Sequence, residues 1–502
     1  MKLPVEVLQR RPPADRYDAV VVGAGLGGLA CAAILARHGM RVAIVDRARR
    51  PGGQVQTIAY QGYAVDLAPP LWEATGVRDV LAAAGVRDVA LADVPLRDAL
   101  RIAIVEGGAV RDRPYPLPVP GAVPSPSVLE AVRALYGVPP RVFAALGGIY
   151  EELAHASAEQ LEAWREARLV DWLADRGLEP VVASAVRRSA LLLGASDPES
   201  ATVAALASRG RWLAAGAAPA HVVAADNPVA GSRGVVQALV DALVEAGGDL
   251  RLGTAVVALD VERGRVRALG VQRQEQPFLE EIAAERVVLA VPEDDVLALL
   301  PRAIATQLVG RAGTGGGAPS ARSALAMAFA FREPPASDPD EPRFPVVRLV
   351  PPVASGQVAP DRPAPGTPGA PVTLCWPTAW APRVAPPGEA LLVAHVPLGA
   401  EARELADVAR SALLVRSAVY DLFPGARDAI AWERQWIRRD WCSESFALPT
   451  LSASVPGCEN VVLAGSAVAV PSAYATGATA SLVSGRAAAE RILSPAAGGA
   501  SS

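Results

Sequence analysis

Residues 18–46 read DAVVVGAGLGGLACAAILARHGMRVAIVD, and this stretch decides the fold of the chain. Residues 19–22 form a short, apolar, β-branched run that is typical of a buried strand. Apolar residues at helical spacing follow over 29–35, and residues 41–45 form a second strand-like run. The stretch therefore predicts strand, glycine turn, helix and strand, as in an α/β domain with a parallel sheet.

The glycines of this stretch have the spacing of a dinucleotide-binding turn, Gly23-x-Gly25-x-x-Gly28. Gly23 permits a tight turn, Gly25 lets the backbone approach a pyrophosphate, and Gly28 lets helix and strand pack closely. The helix amino terminus then points its partial positive charge at the phosphates. Asp46 ends the second strand, where a carboxylate accepts hydrogen bonds from ribose hydroxyls. The segment thus predicts a Rossmann-like site of the kind that binds NAD(P) or FAD.

Composition sets the broad class of protein. The chain has 502 residues, enough for two or three domains. It has 48 basic and 52 acidic residues, so no net positive field exists to hold nucleic acid. Hydrophobic residues make up 51% and charged residues 20%, which is typical of a globular protein with a sizeable core. We therefore expect no nucleic-acid partner.

Cysteine and lysine are scarce in the chain, and their scarcity limits the kinds of site that it can form. The four cysteines are scattered, without metal-ligand or disulfide spacing, so we expect no metal site and reduced thiols in a cytoplasmic protein. Lys2 is the only lysine. Residues 19–36 are uncharged but are broken by glycines, and no signal-peptide pattern precedes them, so they do not predict a membrane span. Peripheral membrane contact through an apolar patch stays open.

The rest of the chain alternates between two kinds of segment. Residues 235–246 predict a helix, followed by strands at 250–252, 255–259, 266–271 and 286–291, and a further strand and helix are predicted at 461–463 and 478–492. Residues 91–224 are predicted to be mainly helical, and residues 334–371 hold 12 prolines, which predicts an exposed loop or an ordered meander. We therefore predict two discontinuous domains. The first comprises residues 15–90, 225–300 and 440–495, and the second comprises residues 91–224 and 301–439.

Several further motifs resemble one family. The chain resembles the FAD-dependent amine oxidase superfamily, and most closely its phytoene desaturase and carotenoid isomerase branch. The motifs that carry the resemblance are Pro51-Gly52-Gly53, Gly62-Tyr63-x-x-Asp66, Leu252-Gly253-Thr254-Ala255-Val256, Ala464-Gly465-Ser466 and Ser484-Gly485-Arg486-Ala487-Ala488.

The resemblance implies a Rossmann-like FAD-binding domain of the glutathione reductase type and a second, mixed α+β substrate domain. In this family the second glycine pair lies under the flavin diphosphate, and a strand near Val256 contacts the adenine. The positions expected to bind FAD are Gly23, Gly25, Leu26, Gly27, Gly28, Asp46, Arg47, Gly53, Gln54, Val256, Gly465 and Ser466.

Four positions depart from the family pattern. Gln54 stands where the family usually has an arginine that reaches the pyrophosphate, and Ala68 stands where a glycine usually lies close to the flavin ring. Ser466 replaces an acidic residue, and Arg233 interrupts a glycine pair. Because each change weakens a contact, these positions raise the alternative of a flavoprotein fold without redox activity.

The resemblance implies an FAD-dependent oxidoreductase that desaturates or dehydrogenates a hydrophobic, polyene-like small molecule. Amine oxidases of this superfamily typically use a lysine beside the flavin, and Lys2 is badly placed for that task. Two alternatives stay open: a lipid-binding protein like the Rab escort and GDP-dissociation-inhibitor proteins, and a flavin-dependent isomerase.

Five tryptophans, Trp376, Trp380, Trp432, Trp436 and Trp441, fall in the presumed substrate half, where they either pack the core or line the substrate cavity. Trp432 and Trp436 have helical i, i+4 spacing. His221 and His395 are acid–base candidates, and Arg438 is expected in a solvated charged loop. The sequence identifies no catalytic residue and no oligomeric state.

Overall fold

The structure is a computed structural model that describes residues 15–74, 76–94, 99–111, 114–116, 126–193, 201–214, 221–224, 230–274, 276, 278–311, 323–335, 346–350, 372–398, 405–438, 451–470 and 477–494. The strands among these residues are β1 (Asp15–Val22), β2 (Val42–Asp46), β3 (Thr57–Tyr60), β4 (Tyr63–Asp66), β5 (Trp72–Glu73), β6 (Leu91–Val94), β7 (Leu100–Glu106), β8 (Ala109–Val110), β9 (Tyr115–Pro116), β10 (His221–Ala224), β11 (Asp249–Leu252), β12 (Thr254–Glu262), β13 (Arg265–Arg273), β14 (Leu279–Leu289), β15 (Ser323–Phe331), β16 (Val346–Val350), β17 (Val372–Cys375), β18 (Ala390–Leu398), β19 (Ile430–Arg438), β20 (Ser454–Val455) and β21 (Cys458–Leu463).

The helices among the described residues are α1 (Leu26–Arg37), α2 (Val77–Ala83), α3 (Pro126–Tyr136), α4 (Phe143–His155), α5 (Ala158–Ala163), α6 (Leu169–Asp175), α7 (Pro180–Leu193), α8 (Val203–Ala214), α9 (Arg233–Glu245), α10 (Glu293–Leu299), α11 (Arg302–Arg311), α12 (Leu405–Leu422), α13 (Ala426–Ala429) and α14 (Gly477–Leu493). None of them combines the length and the apolar composition that crossing a bilayer requires.

The first sheet contains the glycine-turn segment. Strands β11, β2, β1, β14 and β21 pair in parallel in that order, with β1 in register against β2 and β14. The long strand β14 also pairs antiparallel with β13, which pairs with β12. Val20, Val21 and Ile44 are fully buried, as expected for parallel strands covered on both faces.

Helices α1 and α14 cross closely on one face of this sheet because the contact point has no side chains. A Cβ on Gly485 would lie 2.2 Å from the carbonyl oxygen of Gly27, and a Cβ on Gly27 would lie 2.7 Å from that of Ser481. Glycine at both positions therefore lets the two backbones touch, and the middle of α14 lies against the first turn of α1.

The second sheet is mixed, in the order β19-β15-β18-β17-β16-β7-β8, with β16 and β7 parallel. The side chains of strand β15 alternate strictly between the two faces of the sheet. Leu325, Met327, Phe329 and Phe331 belong to the buried cluster that includes α12, whereas the alanines at 326, 328 and 330 face the cluster that includes β4. The alanine face is thus the side of the second sheet that meets the nucleotide domain.

A third group of elements is helical. Helices α4 to α8 share a separate apolar core that includes Leu153, Leu161, Leu169 and Val186. A small three-stranded sheet, β5-β10-β6, is separate in its strand pairing, and its Trp72 and Val222 pack in the same core as α1 and α14.

The mixed α/β architecture and the β–α–β order of residues 18–46 are confirmed. The prediction of a strand over 286–291 was seven residues late, since β14 begins at Leu279. Residues 334–371 were predicted to be an exposed loop or an ordered meander. The prediction of an exposed loop is wrong for 346–350, because β16 is a mostly buried core strand, VVRLV, without proline. Residues 91–224 are helical only after the strands β6 to β9. The predicted domain boundaries stay predictions.

Candidate dinucleotide site

The turn between β1 and α1 is closed by two glycines. Gly23 has a φ of +104°, and a Cβ there would lie 2.4 Å from the carbonyl oxygen of Ala290. A Cβ on Gly28 would lie only 1.9 Å from the carbonyl oxygen of Gly23. Gly28 is therefore required for the helix to begin this close to the strand. Leu26, the first residue of α1, is buried.

Gly25 differs from its neighbours because the space beside it is open. A Cβ built on Gly25 meets no atom within 4 Å, and its φ of −74° is accessible to any residue. Here the absence of a side chain is not explained by protein packing. Open space at the amino terminus of a buried helix suits a phosphate group.

The second glycine pair lies directly against the first turn. The Gly52 amide donates to the Ala24 carbonyl at 2.7 Å, and Gly25 and Gly52 form a parallel bridge. A Cβ on Gly53 would lie 3.1 Å from the Cα of Gly25. The two glycine segments, which are separated in sequence, therefore form one surface of bare backbone.

Asp46 stabilises this surface from the end of β2. One carboxylate oxygen accepts from the Ala24 amide at 2.6 Å, and the other accepts from the Ala48 amide at 2.7 Å. Each oxygen retains further acceptor capacity, so Asp46 can still receive a ribose hydroxyl. Arg47 is exposed and its guanidinium pairs with Asp295 at 3.1 Å, so it is directed to the surface rather than into the crevice.

The carboxy-terminal motif brings a third open glycine. Gly465 has a φ of +126°, and a Cβ there would meet no atom within 4 Å. Ser484 of α14 holds it in place, because its Oγ lies 2.8 Å from the Gly465 amide nitrogen and 2.9 Å from the carbonyl oxygen. Ser466 is exposed next to it.

Val256 lies on β12, opposite Val271 and beside a register irregularity that reaches Ala258. Strand β12 follows β11, which is parallel to β2. Leu252 of β11 pairs in register with Asp46, and Val256 follows four residues later on β12. The contact of Val256 with an adenine stays a prediction.

The buried carboxylate of Asp66 joins two segments of the nucleotide domain by hydrogen bonds. It accepts from the Thr57 hydroxyl at 2.5 Å and from the Ser232 hydroxyl at 2.9 Å, and it also accepts from the Ser232 amide. Burial raises the pKa of Asp66 above its usual range, although these hydrogen bonds oppose the rise. The Arg233 amide donates to Thr57 while its side chain is exposed, so the interruption of the glycine pair does not crowd the site. The sequence motif contained Asp66, but spacing alone assigned it no role.

His395 faces the same region from the second sheet. It is 5% exposed, and its Nε2 donates to the main-chain carbonyl of Asp66 at 3.1 Å. Burial lowers the pKa of His395 to about 4, so the ring is neutral near pH 7. Its Nδ1 is therefore a bare acceptor, buried and without a hydrogen-bond partner among the described residues. Asp66 directly precedes the segment that contains Ala68, and this places His395 near the expected flavin position.

Aromatic residues connect the β3–β4 hairpin to the second sheet. Trp432 contacts Tyr60 and Tyr63 edge-on, with ring centroids 5.0 and 4.9 Å apart. The Tyr63 hydroxyl donates to Glu389, and Arg434 donates to the Tyr60 hydroxyl at 2.8 Å. The hairpin is thus fixed at its tip by the substrate half of the chain.

The helical interpretation of Trp432 and Trp436 was wrong, since both lie on β19. They share one face because residues four apart in a strand point to the same side. Trp376 packs between Phe331 and Phe423 in the core on the other side of the sheet, which identifies it as a core residue.

The prediction that Arg438 lies in a solvated charged loop was also wrong. Arg438 is the last residue of β19 and is 5% exposed. Its Nη1 donates to the main-chain carbonyl oxygen of Gln54, the residue after the second glycine pair. No sequence pattern predicted this contact, which joins residues 384 positions apart.

The remaining candidates add little to the site. His38 ends α1 with its Nδ1 2.9 Å from the Ile34 carbonyl oxygen, a structural role. Cys31, Cys375 and Cys458 are buried free thiols, and the described residues contain no group of His, Cys, Asp and Glu that could hold a metal ion. The side chain of His221 lies outside the described residues, as do Trp441 and Cys442.

These features together define a dinucleotide-binding protein with two apposed glycine turns. The fit to a flavin dinucleotide rests on the space beside Gly25 and Gly465, where the protein offers backbone and leaves room. A family model described as flavin containing amine oxidoreductase matches residues 26–493. The chain therefore belongs to that family, and its cofactor is FAD.

Relatives of known function match only short segments. The chain is 40% identical over 74 residues to hydroxyneurosporene desaturase of Rubrivivax gelatinosus, a match that covers 14% of each chain. It is 45% identical over 60 residues to all-trans-retinol 13,14-reductase of Danio rerio, covering 12% of this chain and 10% of that one. The matches thus span about a seventh or less of these relatives.

One solved structure supports the fold over nearly the whole chain. An oxidoreductase from Methanosarcina mazei superposes with a TM-score of 0.63 at 15% sequence identity, covering 94% of this chain and 99% of that one. Likeness at this identity shows the fold alone.

Proposed function

We propose that this protein is an FAD-dependent oxidoreductase that dehydrogenates an elongated apolar small molecule of the polyene class. Bound FAD would supply the hydride acceptor. The glycine surface at Gly25 and Gly53 would hold the diphosphate, and Asp46 would hold the ribose. The nucleotide domain is assigned to the glutathione reductase type, an assignment supported by the antiparallel extension β12–β14 of its parallel sheet.

The observation that supports the proposal is that the second sheet meets the nucleotide domain through a buried apolar cluster, next to the segment where the flavin is expected. The alanines 326, 328 and 330 of β15 and Val393 of β18 share a cluster with Tyr63 and Val65 of β4. Strand β4 leads directly into the segment of Ala68. These side chains pack against one another and none of them is charged, so the protein beside Ala68 is apolar and offers no charge to an amine.

The amine oxidase alternative within the family is disfavoured by composition. Its typical lysine beside the flavin has no counterpart here, because Lys2 is the only lysine in the chain. The neutral imidazole of His395 adds a hydrogen-bond acceptor to this region without adding charge. An uncharged site is consistent with an apolar substrate. The short matches to a hydroxyneurosporene desaturase and a retinol reductase favour the same substrate class.

The test is anaerobic mixing of the FAD-loaded protein with a panel of polyenes, followed by visible absorption and product mass. We expect the oxidised flavin band to bleach and the product to be lighter by two hydrogens. Conversion to a product of unchanged mass with no net bleaching would favour an isomerase. Tight polyene binding without any bleaching would favour a binding protein and overturn the proposal.

A further inference from the structure

The arginine at the end of β19 reaches from the substrate half of the chain to the cofactor site. Arg438 pairs in register with Ala324 of β15, at the end of the second sheet nearest to the second glycine pair. Its guanidinium is buried and donates through Nη1 to the Gln54 carbonyl oxygen. A guanidinium carries five N–H donors in a planar fork, so it can bind more than one acceptor.

The contact with Gln54 places the guanidinium beside the glycine surface that would hold the diphosphate. Gln54 follows Gly53, and adjacent Cα atoms are only about 3.8 Å apart. Gly53 in turn lies against Gly25, since a Cβ on Gly53 would be 3.1 Å from the Gly25 Cα. The guanidinium thus binds the neighbour of Gly53, and Gly53 itself lies against Gly25.

Other arginines around the glycine turns are directed elsewhere. Arg47 pairs with Asp295, Arg49 donates to Gln274 at 2.8 Å, and the side chain of Arg233 is exposed. Gln54 itself has no charge. Of these four arginines, only Arg438 is buried, and a buried charge acts on an anion through a lower effective dielectric than an exposed one does.

We propose that Arg438 supplies the positive charge that holds the FAD diphosphate, a charge brought by the substrate sheet instead of by the residue after the glycine pair. The proposal concerns cofactor binding and is independent of which substrate is oxidised. It also implies that the cofactor joins the two domains, because its diphosphate would contact the nucleotide domain at Gly25 and the substrate sheet at Arg438.

The test compares FAD dissociation constants of the apo-protein, measured by the change in flavin fluorescence on binding. We expect Arg438→Gln to weaken FAD binding about thirtyfold, a loss typical of one charge-assisted hydrogen bond. We expect Arg438→Lys to lose much less. The matched control is Arg434→Gln, on the same strand and the same face, where the side chain contacts Tyr60 instead; its FAD affinity should stay within about twofold.

The decisive variant moves the charge back to the glycine pair. In the double variant Gln54→Arg with Arg438→Gln, we expect FAD affinity to recover by about tenfold relative to Arg438→Gln alone. A structural role that only positions β19 would not be rescued in this way. ADP, competed against FAD, should lose affinity for Arg438→Gln by a similar factor because it carries the same diphosphate.

Unchanged FAD and ADP affinity in Arg438→Gln would overturn the proposal, and so would a loss that neither Lys at 438 nor Arg at 54 restores. If Arg438→Gln does not fold, as judged by circular dichroism, the Lys variant and the double variant provide the same comparison. These measurements need no substrate, so a failure to oxidise polyenes leaves them unaffected.

Discussion

The carbonyl oxygen of Gly23 lies 1.9 Å from the position that a Cβ on Gly28 would occupy. The first turn of α1 therefore packs against the end of β1 more closely than any residue with a side chain allows. This contact fixes the direction in which the helix amino terminus points, and hence the site that it forms.

Replacement of Gly28 by alanine should destabilise the protein strongly. The methyl group would meet backbone atoms that cannot move without shifting the helix, so we expect a loss of about 3 kcal/mol or more in the free energy of unfolding. Gly147→Ala is the matched control, a helical glycine with nothing within 4 Å of its Cβ position. It should be neutral or slightly stabilising. Equal stability of the two variants in urea unfolding would contradict this account.

Asp46→Asn should weaken the same turn. The carboxylate accepts from two amides, through one oxygen each, and an asparagine can satisfy only one of them. We expect a loss of about 1–3 kcal/mol and weaker FAD binding. Asp18→Asn is the control because Asp18 accepts from one amide, that of Arg41, through one oxygen. A stability loss for Asp18→Asn as large as that for Asp46→Asn would speak against this interpretation.

The buried His395 makes stability depend on pH in acid. Its pKa is lowered by burial from 6.5 to about 4, so between these values the unfolded chain binds more protons than the folded one. The contribution is fully present above about pH 6.5 and is lost as the pH falls toward 4, by up to about 3 kcal/mol.

The measurement is urea unfolding at several pH values, taken as the difference between wild type and His395→Gln. The pKa of Asp66 is raised, so its contribution to stability has the opposite pH dependence. Because Asp66 is present in both proteins, this contribution largely cancels in the difference. His155→Gln, at an exposed position, should leave the pH slope as in wild type. An unchanged slope in His395→Gln would contradict the buried, neutral state of this ring.

Local signals in the sequence predicted the glycine turn because most of its requirements act within one β–α–β unit. Gly28 lies against the Gly23 carbonyl, and Asp46 accepts from the Ala24 amide, whereas the close approach of Gly23 to the Ala290 carbonyl joins distant segments. The sequence also predicted the strand and helix of the carboxy-terminal motif, although it could not show that Gly485 meets Gly27.

The contacts that the sequence missed join distant segments. Trp432 and Trp436 fit a helix and a strand equally well by spacing, and only their pairing with β15 decides for the strand. Arg438 stands among charged residues that suggest solvent, and only the fold buries it against Gln54. Strand β16 was missed because prolines on both sides dominate the composition of its segment.

The most direct test of the account is the FAD affinity of Gly25→Ala. The φ of −74° accepts alanine, and the described residues place no atom within 4 Å of the added methyl group, so the apo-protein should unfold within about 0.5 kcal/mol of wild type. If a diphosphate rests on this backbone, the methyl group occupies its place and the FAD dissociation constant should rise at least about tenfold, or about 1.4 kcal/mol. Wild-type FAD affinity in Gly25→Ala would show that the cofactor does not lie there.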